Sequence, residues 1–318
     1  MGGVLPMPYP QPPMEKPPVK LEPQLNFVQI SDVHLRPNAG RSGWWLSERP
    51  EHLLQLAVEK VCALGGVDFV VFTGDLFDQA EAAALDQFVA IAGALPCPYH
   101  VVVGNHDVVG KPWPGRLTKQ TFAERLALPE KLYYSVPVKP GYRLIVLDTV
   151  PAPFPHAQGC LPAEQMEWLR WQLLVHRDEQ VIVALHHPPV APAYFRDFRL
   201  NPLDGSQFAE LMAASPNVVA VLSGHLHVPR RWSYRKRPYF SAPSLGGPPN
   251  AFRHFQLELT ARSARLRYDW IPVVPESKRR PLWYPLTVGS RRDRRGRYRL
   301  QLPLLAQRRL ARRLNAAS

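Results

Sequence analysis

Short apolar runs alternate with amphipathic stretches along most of the chain. Residues 25–30, 67–73, 99–103, 142–148, 181–185 and 218–222 are apolar at most successive positions. That pattern predicts strands buried on both faces, as in a parallel sheet. Between them, residues 51–64, 80–95, 118–128, 162–175 and 206–214 read as helices. The first carries Leu53, Leu56, Ala57 and Val61 at helical spacing. Residues 252–259 and 264–271 instead alternate apolar and polar side chains, the signature of a closing hairpin. Alternation of strand and helix indicates a layered α/β fold with a largely parallel centre. Two sheets packed between helices would accommodate the late hairpin.

The runs are far shorter than the ~20 apolar residues that span a bilayer. The 318 residues include 36 prolines, eight of them within residues 1–24, which predicts an extended arm there. Net charge is +13, unevenly spread: residues 278–318 hold 13 Lys and Arg against one acid, Asp293, and the remainder is nearly neutral. The chain therefore divides into a proline-rich arm (1–24), a catalytic-sized domain (25–275) and a basic tail (276–318). The tail is either a solvated segment or a surface for nucleic acid or an anionic membrane. Residues 300–314 carry a thin basic amphipathic pattern. Cys62, Cys97 and Cys160 lack paired or metal-type spacing. With no signal-peptide pattern at the start, they point to a reducing, cytoplasmic setting.

Five strand runs end in polar clusters: Asp32-x-His34, Gly74-Asp75-x-x-Asp78, Gly104-Asn105-His106-Asp107, His186-His187 and Gly224-His225-x-His227. Ligand sites in open α/β sheets lie beyond the carboxyl ends of strands, so the five clusters are expected to meet. Asp, Asn and His form an oxygen/nitrogen donor set without thiolate, suited to Mn, Fe, Zn, Co or Ni. Residues i and i+2 on extended chain share a side, so each Asp-x-His or His-x-His offers two ligands to one region. Seven donors are too many for one tetrahedral ion and fit two ions sharing a carboxylate. Gly104 to Gly110-Lys111 has the wrong loop length for a P-loop, and Pro112 stands where Ser or Thr is needed.

These motifs, in this order over about residues 27–271, resemble the calcineurin-like metallophosphoesterases. Ile30 to Leu35 and His186-His187-Pro188-Pro189 look most like the bacterial class III cyclic-nucleotide phosphodiesterases. The resemblance implies a four-layer α/β/β/α sandwich with mixed central sheets. It implies two divalent or trivalent transition-metal ions, one on Asp32, His34, Asp75 and His227, the other on Asp75, Asn105, His186 and His225. His106 would contact the phosphate and protonate the leaving group, with Asp107 orienting it. Asp78 and His187 would stand behind the ligands. Purple acid phosphatases put a metal-binding tyrosine where this chain has Asp78, which argues against that branch. The implied activity is hydrolysis of a small phosphodiester such as a cyclic nucleotide. A repair-type nuclease or a phosphomonoesterase on the same site remains open, as does a tail-driven binding protein. Trp44 and Trp45 follow the first motif in a polar loop, placed either to stack on a nucleobase or to anchor the loop.

Overall fold

The computed structural model describes residues 22–37, 49–152, 155–189, 199–260, 263–275 and 287–301. Trp44, Trp45, most of the proline-rich arm and the chain beyond residue 301 lie outside the described residues.

The first sheet has the order β12-β11-β10-β1-β2-β3, with β1 (Gln24–Ile30), β2 (Phe69–Phe72), β3 (Tyr99–Val101), β10 (Ala251–Leu259), β11 (Ser263–Pro272) and β12 (Arg295–Gln301). β1, β2 and β3 run parallel; β10, β11 and β12 add antiparallel. The second sheet has the order β4-β5-β6-β7-β9-β8, with β4 (Tyr134–Lys139), β5 (Tyr142–Val146), β6 (Gln180–Ala184), β7 (Val218–Ser223), β8 (Arg230–Tyr234) and β9 (Arg237–Ser241). Here β5, β6, β7 and β9 are parallel and the two edge strands antiparallel. Among the described residues, the helices are α1 (Pro50–Leu64), α2 (Ala82–Ala92), α3 (Lys119–Arg125), α4 (Ala163–Val175), α5 (Pro202–Ala214) and a single turn, Arg291–Arg294. None is long and apolar enough to cross a membrane.

Alternate residues of each buried strand feed different cores, which is why the apolar runs are continuous. In β1, Leu25 and Phe27 enter the layer between the sheets, while Val28 and Ile30 face α1 and α2. β2 divides likewise, with Phe69 and Val71 inward and Val70 and Phe72 outward. Phe27 stacks between Phe69 and Phe255, with ring centroids 5.1 and 4.8 Å away. A third core holds α4 and α5 on the far face of the second sheet. Three apolar layers between four structural ones make the α/β/β/α sandwich.

Sequence patterning missed β4, β8 and β9. Pro137 and Pro238 interrupt two of them, and a proline inside a run argues against a strand unless it is at an edge. The larger correction concerns the basic tail. Residues 287–301 are part of the fold: β12 pairs with β11 from Ser263↔Gln301 to Asp269↔Arg295. Leu300 is buried between the sheets and Tyr298 packs against the same core. Leu300 is thus a strand residue, not the start of an amphipathic helix. The turn preceding β12 is pinned as well. Asp293 Oδ1 accepts from Arg231 N–H at 2.9 Å, and Tyr268 donates its hydroxyl to the Arg292 carbonyl at 2.7 Å. The guanidinium of Arg253, fully buried, donates to the carbonyls of Asp293, Ser241 and Arg230 at 2.8, 2.9 and 3.2 Å.

A chain ending at residue 286 would expose the β11 edge and strip a buried charge of one of its three acceptors. One unsatisfied buried group costs ~1–3 kcal/mol, and lost packing adds to it. Such a chain is expected to be destabilised by about 3 kcal/mol or more in urea unfolding. An unchanged midpoint would show that β12 contributes nothing.

Candidate metal centre

All five polar clusters reach one region beyond the carboxyl ends of β1, β2, β6 and β7. They do so through strained backbone: Asp32, His34, Asp75, His225 and His227 have φ of 53, 52, 52, 69 and 56°. Each therefore sits in the left-handed region, which costs of order 1 kcal/mol or more and which Asp and His tolerate better than β-branched residues. The paired ligands of Asp-x-His and His-x-His converge by this route, not because i and i+2 share one side of an extended chain. Close approach also needs glycine. A Cβ on Gly74 would lie 2.9 Å from the Gly104 Cα, and one on Gly104 would overlap the Asp75 backbone nitrogen.

Asp32, His34, Asp75 and His227 each offer a donor atom within 4.8 Å of the others. His34 Nε2 lies 3.1 Å from His227 Nε2, which lies 3.4 Å from Asp32 Oδ1. Asp75 Oδ2 is 4.0 Å from His34 Nε2 and 3.3 Å from His186 Nε2, so it adjoins two groups of donors at once. In the second group, His186 Nε2 is 3.1 Å from Asn105 Oδ1 and 3.1 Å from His225 Nδ1.

The donors fit cations. His186 Nδ1 donates to the Thr73 carbonyl at 2.8 Å, which leaves Nε2 as a bare lone pair in the neutral ring. That lone pair faces two oxygen acceptors, Asp75 Oδ2 and Asn105 Oδ1. Only a proton or a metal ion reconciles them. Two ligands each ~2.0–2.2 Å from one ion stand about 3 to 3.5 Å apart, the spacing seen here. Among the described residues nothing hydrogen-bonds the buried Asp32 Oδ2.

Electrostatics agree. Burial opposes charge on His186, but Asp75 and Asp32 raise its pKa to about 9. Burial also opposes ionisation of Asp75, yet His186 and His106 hold its carboxyl well below the usual range. Burial, reinforced by neighbouring rings, keeps His34 and His225 neutral, each near a pKa of about 3. Ionised carboxylates beside neutral imidazoles are the state that metal binding requires.

The supporting residues divide into confirmed neighbours and one correction. Asp78 Oδ1 lies 3.7 Å from His34 Nδ1, behind that ring. Both ring nitrogens of His187 are engaged: Nδ1 with Thr149 Oγ1 at 2.9 Å and Nε2 with the His156 carbonyl at 3.1 Å. Asp107 does not orient His106. Its fully buried carboxylate accepts from Phe77 N–H at 3.0 Å and Gly104 N–H at 2.7 Å, bracing the turn. His106 Nδ1 donates instead to the Asp78 carbonyl at 2.9 Å, and its backbone N–H donates to Asp75 Oδ1 at 2.9 Å. Sequence reasoning missed Thr149, Thr73 and Ser244. Ser244 Oγ donates to the Asp32 carbonyl at 3.0 Å from a loop 212 residues away. Thr149, directly after the run ending at Asp148, was accessible to the same strand-end reasoning; the other two act through or upon backbone groups, which motifs do not reveal.

Comparison with known proteins follows this geometry. The family described as calcineurin-like phosphoesterase matches residues 25–229. A protein named a probable cyclic nucleotide phosphodiesterase from Synechococcus sp. is 29% identical over 205 residues, covering 64% of this chain and 73% of that one. A cAMP/cGMP dual specificity phosphodiesterase from Mycobacterium tuberculosis is 32% identical over 211 residues, 64% of this chain and 62% of its own length. A dimetal phosphatase from Danio rerio shares the fold with a TM-score of 0.65 at 16% identity, over 89% of this chain and all of that one. With its motifs, its sandwich and its paired donor groups, the chain belongs to the calcineurin-like phosphoesterases, metal-dependent hydrolases of phosphate esters.

Proposed function

We propose that the centre hydrolyses a small phosphodiester, with cyclic nucleotides as the substrate class. The observation that carries this reading is Asp75 Oδ2 standing between two groups of nitrogen and oxygen donors. Asp32, His34, Asp75 and His227 would hold one ion, and Asp75, Asn105, His186 and His225 the other. The thiolate-free donors suit Mn, Fe, Zn, Co or Ni. Two such ions neutralise charge on a phosphate and acidify water. The names borne by the Synechococcus and M. tuberculosis relatives support the substrate class. The three unpaired cysteines support a cytoplasmic setting.

His106 supplies the proton. Donation from Nδ1 to the Asp78 carbonyl fixes the ring and leaves Nε2 to carry the exchangeable proton. Burial works against the charged ring, but Asp75 and the Asp78 carbonyl raise its pKa above the ordinary value. His106 is exposed, unlike the ring of His34 beside it, so it can meet a substrate oxygen. Asp107 keeps the turn that presents it.

Exhaustive chelation is expected to abolish turnover, and added Mn to restore it. Metal analysis should find two ions per chain, fewer in Asp75→Ala and an unchanged number in His187→Ala. Full activity of the stripped protein would overturn the centre. His106→Ala should lower turnover of a cyclic nucleotide by ~10²–10⁴-fold with metal content intact, and less on a nitrophenyl diester, whose leaving group needs little protonation. Loss of metal in that variant would make His106 a ligand. A panel of cyclic nucleotides, glycerophosphodiesters, monoesters and single- and double-stranded DNA tests the substrate. Preference for monoesters or DNA ends would replace this reading.

A further inference from the structure

The outer face of the first sheet changes character along its width. Over β1 and β2 it is covered by α1 and α2. Over β10, β11 and β12 its residues are polar, and the rows can be read from the register. Gln24, Glu258, Arg265 and Arg299 form one row across the strands; Asn26, Gln256, Arg267 and Arg297 form the next. His254, Asp269 and Arg295 form a third. The four arginines of the first two rows are exposed.

This arrangement places like charges in direct opposition. Arg265 faces Arg299 and Arg267 faces Arg297 as cross-strand partners, and like charges directly opposite destabilise a sheet. The nearby acids do not answer all of them. Glu258 lies 3.6 Å from Arg265, and Asp269 pairs with Arg267 and Arg295. Arg297 and Arg299 meet no carboxylate among the described residues. The face thus carries five arginines against two acids. It lies beside a cavity of about 700 Å³ lined by those four arginines with Lys139 and Asn26. It is also remote from the metal centre, since β1 runs from Gln24 at this end to Ile30 at the other.

We infer that this face is a docking surface for the phosphate backbone of a nucleic-acid strand. Charge complementarity selects a polyanion. Guanidinium forks recur every second residue along β11 and β12, about 6.6–6.8 Å apart, with strands ~4.8 Å apart, and Arg binds phosphate bidentately. A repeating linear anion can engage several forks at once, which one small anion cannot. An anionic membrane fits less well: among the described residues, no large exposed apolar side chain lies on these strands to enter a bilayer. Four further arginines, at 308, 309, 312 and 313, follow β12 in the sequence.

Fluorescence anisotropy of the full chain with a labelled 2′-O-methyl RNA of about 20 nucleotides, which resists cleavage, tests this across a salt series. The double variant Arg297→Gln with Arg299→Gln is expected to bind ~10-fold or more weakly at low salt. Its log–log salt slope should be shallower by about 2. Each single substitution should give about half that effect. The double variant's thermal unfolding should stay level or rise, because repulsion is removed, and hydrolysis of bis-nitrophenyl phosphate should not change. Three results would overturn the inference. One is equal RNA affinity in the double variant. Another is loss of all binding on replacing the arginines at 308, 309, 312 and 313 by Gln, with the sheet-face variant unaffected. The third is tighter binding to phosphatidylserine-containing vesicles than to RNA.

Discussion

At the top of both sheets, lone pairs converge with too few protons to separate them. Asp75 Oδ2, Asn105 Oδ1 and a His186 nitrogen whose partner nitrogen is already donating stand within hydrogen-bonding distance of one another. In water such groups would turn apart. Here five residues in left-handed backbone and glycines with no room for a Cβ hold them together. Much of the surrounding architecture serves that constraint. Ser244 and the Asp32 carbonyl, Thr73 and His186, Asp107 and the turn of Gly104 each spend a hydrogen bond on fixing a loop. Without a cation the cluster compensates internally, by holding a proton on His186.

The parallel core and the convergence of the motifs were legible in the sequence because both depend on local pattern. A strand buried on two faces must be apolar throughout, and Phe27 to Ile30 shows it. A ligand must be Asp, Asn or His, and few such residues occur in apolar runs by accident. What stayed hidden depends on tertiary context. β9 carries Pro238 and β8 is half exposed, so neither has a pattern that separates it from loop. The helper of His106 proved to be a carbonyl, that of Asp78, which no side-chain motif encodes.

Charge concealed β12. Arg295, Arg297 and Arg299 alternate with Gly296, Tyr298 and Leu300, a period of two that marks a strand. Counted as net charge, the same residues look like a solvated tail. The buried Leu300 and the face of arginines are two sides of one alternation, and reading only composition discards it. The family match ends at residue 229, yet the sheet that carries Asp32 is completed by strands drawn from residues 251–301.

That completion sets the order in which the molecule can assemble. β1, the first strand described, pairs on one side with β10, and Asn26 touches His254 across 228 residues. During synthesis, β1 and β2 can form a parallel pair early, but one edge of β1 stays open until most of the chain has left the ribosome. An unpaired apolar edge invites pairing with another chain, and contacts so distant in sequence slow folding. The interval between β2 and β10 is therefore the period of greatest exposure to aggregation. The ligand Asp32, on the loop that ends β1, can be braced by Ser244 only when that interval closes.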